Sequence, residues 1–256
     1  MTEELQYGNW IRKKMLVFLG LGALASGVLS LLPLPPIVRV GGGLLCVVLF
    51  ISFLYPLYAY YVFSPRGGNF QDKLYDLLVK SLKGPITGAI LDIGAGNGIL
   101  SVQLARAYPT ARVVGVDYWG KNWEYSQAVC ERNAQLARVS ERTTFQKGDA
   151  AALPFSAATF DAVVSNLTFH EVKSVQQKRE LIGEALRVLR PGGTFAVVDL
   201  FYDHQYYGDS AELETFLRGL NLARVEFKPL NSTMTIPRLL NHPQALGRAG
   251  IIFGLK

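Results

Sequence analysis

The sequence predicts an α/β protein, a doubly wound sheet of seven strands preceded by a hairpin of two membrane-spanning helices. Three observations predict it. Two long stretches near the start carry no charged residue, from Met15 to Val38 and from Val40 to Pro65. Beyond them, short apolar runs alternate with segments of helical periodicity, the pattern of a sheet covered by helices on both faces. The first such run, Ala89-Ile90-Leu91-Asp92-Ile93, leads into Gly94-Ala95-Gly96-Asn97-Gly98. A glycine turn between a strand and a helix is where α/β sheets receive a ligand.

The apolar part comes first. Met15 to Leu32 and Val40 to Phe63 approach or exceed the roughly 20 residues needed to cross a bilayer. The spans are expected at about 15–34 and 40–63, in an anchor of residues 1–64 ahead of a domain of residues 65–256. Pro33, Pro35 and Pro36 mark the turn between them, and Pro56 is tolerated as a kink. Trp10, Tyr55, Tyr58, Tyr60 and Tyr61 suit the interfacial belts. Arg12, Lys13 and Lys14 precede the first span, and Arg66 and Lys73 follow the second, while the turn holds Arg39 alone. The positive-inside rule then places the domain and both termini in the cytosol. Arg12 to Ser26 also has the layout of a signal peptide, with Ala23-Leu24-Ala25 as the cleavage site. The second apolar segment, following at once, argues for a hairpin instead.

The short linker Arg66-Gly67-Gly68-Asn69 should hold the domain close to the membrane surface. Phe70 to Lys83 repeats Phe70, Leu74, Leu77, Leu78 and Leu82 at helical spacing. Strands are expected at Ala89–Ile93, Arg112–Val116, Thr143–Gln146, Phe160–Asn166, Thr194–Leu200, Ala223–Pro229 and Ala249–Leu255. Helices are expected at Ile99–Tyr108, Glu124–Arg138, Lys178–Leu189 and Ala211–Leu220.

The glycine turn carries the chemistry. Its glycines can take φ > 0 and let backbone approach a ligand. The N–H groups that open the next helix favour an electron-rich partner. The spacing is G-x-G-x-G, not the dinucleotide G-x-G-x-x-G, and Asp92 precedes it. A carboxylate there opposes a pyrophosphate and suits a cofactor with a cationic amino-acid end. Asp117 closes the second strand nineteen residues past Gly98, where a carboxylate takes ribose hydroxyls.

LDIGAGNG (Leu91 to Gly98) and VVGVD (Val113 to Asp117) resemble the first two motifs of the class I S-adenosylmethionine (SAM)-dependent methyltransferases. GDAAALPF (Gly148 to Phe155), FDAVVSNLTFHEV (Phe160 to Val172) and LRVLRPGGTFAVVDLF (Leu186 to Phe201) extend the resemblance toward the ubiquinone and menaquinone methyltransferase group. It covers roughly residues 70–256. The resemblance implies a Rossmann-like sheet whose final strand runs antiparallel, SAM as cofactor, and a small acceptor methylated on oxygen or carbon, and the membrane anchor points to a lipophilic one. It places Asp92, Gly94, Ala95, Gly96 and Gly98 at the methionine end, Asp117 and Tyr118 at the ribose and adenine, and Asp149 and Ala150 near the adenine amine. Asn166 then lies near the transferred methyl.

Residues after strands four and five complete the candidates. His170 is the choice for a base or for orienting the acceptor, since an unperturbed imidazole titrates near pH ~6.5. His204 sits on a longer loop. Tyr202, Tyr206 and Tyr207 would suit an apolar mouth, and the aromatic residues from Tyr118 to Trp123 either stack on adenine or pack a loop. The set His170, Glu171, Asp199 and His204 lacks diagnostic metal spacing, and no C-x-x-C or H-E-x-x-H appears, so no metal is expected. Cys46 and Cys130 fall in a span and a helix and are expected reduced. The net charge of +6 over 256 residues is mild and without a basic run, which argues against nucleic acid. Two alternatives stand beside the enzyme. One is a methyltransferase-like membrane scaffold without catalysis, against which the intact glycines and Asp117 argue. The other is an NAD-linked oxidoreductase, disfavoured by the glycine spacing. Oligomeric state is not written in the sequence.

Overall fold

The structure, a computed structural model, describes residues 4–120 and 124–256, which form two compact units. Gly8–Asp72 make up the first, and the second takes in the residues from Lys73 onward together with those described before Gly8.

In the first unit α1 (Lys13–Leu31) and α2 (Pro36–Phe63) form an antiparallel hairpin. At about 1.5 Å per residue they are ~28 and ~42 Å long, against a bilayer core of about 30 Å. Small residues line their contact. A Cβ added at Gly42 would meet the Ser26 carbonyl at 3.0 Å, and one added at Gly27 would meet the Cys46 sulfur at 3.1 Å. Close packing of small residues is how helices associate where apolar surface alone gives no driving force. Ser26 and Ser30 return their hydroxyls to the carbonyls of Gly22 and Gly27, so both are satisfied within α1. The outer faces are apolar all round, with Phe18, Leu31 and Ile37 74%, 82% and 82% exposed. Hardly any of either segment is buried within the protein. Below the helices, Asn9 donates to the Tyr60 carbonyl, and Trp10 packs on Phe63 with ring centroids 5.0 Å apart. α3 (Phe70–Ser81) follows and buries Phe70, Leu74 and Leu78 at the predicted spacing.

The second unit is built on seven strands among the described residues: β1 (Ala89–Ile93), β2 (Arg112–Asp117), β3 (Thr143–Lys147), β4 (Phe160–Asn166), β5 (Leu189–Asp199), β6 (Arg224–Pro229) and β7 (Gly250–Leu255). Their order is β3-β2-β1-β4-β5-β7-β6. β1 to β5 pair in parallel, and β7 runs antiparallel to both β5 and β6. The parallel strands are buried on both faces, as helix-covered strands must be. Ile90, Leu91, Val163, Val164 and Ala196 are 0–1% exposed. The covering helices are α4 (Ile99–Ala107), α5 (Gln127–Leu136), α6 (Arg179–Val188), the short α7 (His204–Tyr207) and α8 (Ser210–Gly219). Just past α3 the chain is tied to β5, where the Lys83 N–H donates to Thr194 Oγ1 at 3.0 Å.

β5 begins five residues earlier than the sequence predicts. Leu189 pairs with Phe160 and Thr194 with Ala162, so Arg190 to Gly193 bulge out of register. Pro191 has no N–H to give a ladder, and Gly192 takes φ +75°. A Cβ on Gly193 would fall 2.9 Å from the Asp161 carbonyl. The Pro-Gly-Gly sequence is thus a bulge inside the strand, not a turn before it.

Candidate functional site

The sheet order reverses at β1, where neighbouring connections leave in opposite directions and open a crevice at the strands' carboxyl ends. The Gly94–Gly98 turn sits there. The Gly94 and Ala95 N–H groups both donate to the Val116 carbonyl, at 2.7 and 3.1 Å, which fastens the turn to β2. Gly94 has φ +82°, and a Cβ there would collide with the Thr168 side chain from the loop after β4. Only glycine meets both demands at this position. Gly96 takes φ +56° and Gly98, at the start of α4, +76°.

Asp92 is 1% exposed and accepts a 2.5 Å hydrogen bond from Ser101 of α4. Burial, with the Asp117 charge adding to it and Ser101 opposing, pushes its pKa up to about 7. Asp117 is raised too, by burial, and N–H donors pull it part of the way back. Its Oδ2 accepts from Gly96 N–H at 2.8 Å and its Oδ1 from Trp119 N–H at 2.8 Å, leaving lone pairs on both oxygens. Trp119 adds an indole hydrogen bond to the Gly96 carbonyl at 2.8 Å. Tyr118 points outward, 63% exposed, beneath the Lys147 ammonium. Asp149 accepts from Ala151 N–H at 2.9 Å and from Ser174, and Ala150 is buried beside it.

The loop after β4 is held by the end of β5. Asp199 is fully buried. It accepts from the N–H groups of Phe169 (2.7 Å) and Leu200 (2.6 Å) and contacts His170 Nδ1 at 2.8 Å. Burial alone would lower the His170 pKa. The Asp199 charge and hydrogen bond, helped by Glu171, more than offset it, and the net shift is upward. With Nδ1–H donated to Asp199, Nε2 is left as the basic nitrogen of the neutral ring. Asn166 Oδ1 is buried without a protein partner.

Residues 91–197 match the family model described as a methyltransferase domain. The chain is 34% identical over 117 residues to a demethylmenaquinone methyltransferase of Roseiflexus castenholzii, covering 45% of this chain and 44% of that one. It is 34% identical over 124 residues to a norajmaline N-methyltransferase of Rauvolfia serpentina, covering 48% and 39%. Each match thus spans less than half of the relative's own length. These similarities support a class I SAM-dependent methyltransferase domain. A geranyl diphosphate methyltransferase solved with SAM shares the fold, with a TM-score of 0.54 at 15% identity over 79% of this chain and 89% of that one.

SAM is therefore the cofactor of this methyltransferase domain, and its residues fit it. A buried carboxyl poised at about 7 gains from a cationic ammonium or sulfonium nearby. Asn166, whose Oδ1 is buried without a protein partner, ends β4 as Asp117 ends β2.

β2, β1 and β4 lie side by side, so Asp92, Gly94, Ala95, Gly96, Gly98, Asp117 and Asn166 gather at or just past their carboxyl ends, with Asp149 and Ala150 just past β3. Of the three loop tyrosines, only Tyr206 lies against His170, with ring centroids 5.8 Å apart. Tyr207 is buried in the core and Tyr202 stacks on Phe227. His204 pairs with Asp209 at the surface. Among the described residues no group of three His, Cys, Asp or Glu could hold a metal. Trp123 lies outside the described residues. Sequence reasoning missed Ser101 and Tyr125, whose ring covers Gly96. It placed Asp199 in a weak metal set, whereas the structure makes it the partner of His170.

Proposed function

We propose that the chain is an integral-membrane methyltransferase that moves a methyl group from SAM to a small lipophilic acceptor, with its catalytic domain and both termini in the cytosol. The observation that carries the reading is the pairing of an intact cofactor turn with two unburied apolar helices in one chain. A relative named for demethylmenaquinone and a fold neighbour named for geranyl diphosphate make an apolar acceptor the natural class. An anchor raises the encounter rate with acceptors dissolved in the bilayer.

When bound, SAM supplies a methyl group already activated on a sulfonium. The chain then has to bind, orient and deprotonate. Asp117 holds the ribose hydroxyls, Asp92 the ammonium end, and Asp149 with Ala150 the adenine edge. Asn166 offers its unpaired oxygen toward the reacting region. His170 accepts the acceptor's hydroxyl proton at Nε2, and Asp199 stabilises the imidazolium that results. Because only neutral His170 can accept that proton, the rate rises with pH through its raised pKa.

The test is calorimetric titration of the detergent-solubilised protein with SAM and, as control, NAD. Labelled SAM is then offered with fractionated lipid extracts. Saturable SAM binding, no NAD binding and label in an apolar fraction are expected. A folded protein that binds SAM but labels no acceptor would favour the scaffold alternative. One that labels only water-soluble acceptors would overturn the lipophilic assignment.

A further inference from the structure

α5 holds the cofactor turn from outside. Cys130 donates its thiol to the Gly96 carbonyl at 3.2 Å. One turn further on, Asn133 is 0% exposed, and its carboxamide makes three hydrogen bonds. Nδ2 donates to the Asn97 carbonyl at 2.8 Å and to the Gln6 carbonyl at 3.0 Å. Oδ1 accepts from the Gln6 N–H at 2.8 Å. The side chain thus pairs with both backbone groups of Gln6, as a neighbouring strand would, while its second amino hydrogen holds a carbonyl inside the Gly94–Gly98 turn. The Gln6 side chain takes no part in these three bonds. Asn97 is also fixed from its other side, where its Oδ1 accepts from the Ser126 N–H at 3.4 Å.

A fully buried carboxamide that loses its partners costs about 1–3 kcal/mol per group. Asn133 therefore needs Gln6 where it is, and the turn needs Asn133.

We propose that Glu4–Tyr7 is a strap of the cofactor site and that Asn133 is its latch, a positioning residue that fixes the Asn97–Gly98 peptide for SAM. The inference rests on the reading of Gly94–Gly98 as the SAM turn. A latched strap keeps the turn in its binding shape, and an unlatched one leaves Asn133 unpaired and the turn loose. The coupling is reciprocal, so SAM also holds the strap down.

Gln6→Pro tests this at the chain's edge, where it removes one N–H and leaves the core untouched. In the full-length, detergent-solubilised protein it is expected to raise the SAM Kd about tenfold, the loss of one buried hydrogen bond. KM for SAM should rise with it, while kcat at saturating SAM stays at the parent value. In the parent chain, SAM should slow hydrogen exchange at residues 4–7. Asn133→Ala should weaken SAM more, because the Asn97 bond is lost as well. In that background Gln6→Pro should add less than twofold, the signature of one shared contact. Parent-like SAM affinity in Gln6→Pro, or an equal loss in both backgrounds, would overturn the latch while leaving SAM binding intact. No SAM binding by the folded parent would overturn the cofactor reading and the strap with it.

Discussion

Asp92→Asn tests the electrostatics of the cofactor turn most directly. Asp92 has a folded pKa of about 7 and a reference value of 3.8. The folded state therefore holds a proton that the unfolded chain has already lost. Stability falls as pH rises from about 4 to about 7 and is flat above, since the unfolded state binds fewer protons across that window. A shift of about 3 units is worth roughly 4 kcal/mol at pH 8. Asn removes that cost, keeps an oxygen for Ser101 and introduces an Nδ2 that needs an acceptor, which returns about 1–3 kcal/mol. The net expectation for the ligand-free variant is a gain of about 1–3 kcal/mol at pH 8, or several degrees in Tm for a domain of this size. The gain shrinks toward acid, vanishes between about pH 4.5 and pH 6, and becomes a loss near pH 4, where Asp92 costs the parent little and the unpaired Nδ2 remains. SAM reverses the comparison, because its ammonium compensates Asp92 and has nothing to compensate in the variant. The assay is thermal denaturation between pH 5 and 8.5, with and without SAM. Parallel Tm–pH curves for parent and variant would refute the burial argument. Parent-like SAM affinity in the variant would refute the assignment of Asp92 to the cofactor.

Asp117→Ala should abolish calorimetric SAM binding while the circular dichroism spectrum stays native; retained affinity would remove Asp117 from the ribose. Asp199→Asn should lower kcat by about 10²–10⁴, because the amide turns a donor toward His170 Nδ1 and selects the wrong tautomer. The limb of the kcat/KM profile that rises with pH should move to lower pH, since the carboxylate that raises the His170 pKa is gone; an unchanged profile would show that His170 is not the base. Lysine at both Leu21 and Val47, on the apolar outer face of the hairpin, should cost about 2.5–3.5 kcal/mol per site on insertion and release protein from the membrane fraction at alkaline pH. Unaltered fractionation would argue that the helices do not span.

The strands and the glycine turn were legible because each is set by local sequence. Buried parallel strands are continuous apolar runs, and a left-handed turn requires glycine. The limits of α3 and β4 follow from the same periodicity. The Pro-Gly-Gly bulge was not legible, because whether such a stretch ends a strand or interrupts it depends on the neighbouring register. Neither was the His170–Asp199 pair. These residues lie 29 apart and meet only because β4 and β5 are adjacent, with Asn166 opposite Val198. Asn133 belongs to the same class, since its partner Gln6 is 127 residues away and contributes only backbone.

The site's acids explain why a cationic cofactor suits this sheet. Asp92, Asp117 and Asp199 lie at the carboxyl ends of β1, β2 and β5, and all three are buried or largely so. Each is held by backbone or hydroxyl donors, which shapes the loops but does not neutralise charge. Burial, with the Asp117 charge adding to it, raises the proton affinity of Asp92, so the turn is strained electrostatically. A pyrophosphate placed on it would add two negative charges to a site already shedding its own. An ammonium and a sulfonium relieve the same strain. The glycine geometry that admits a nucleotide is therefore shared with dinucleotide folds, while the choice among nucleotides falls to the carboxylates around it.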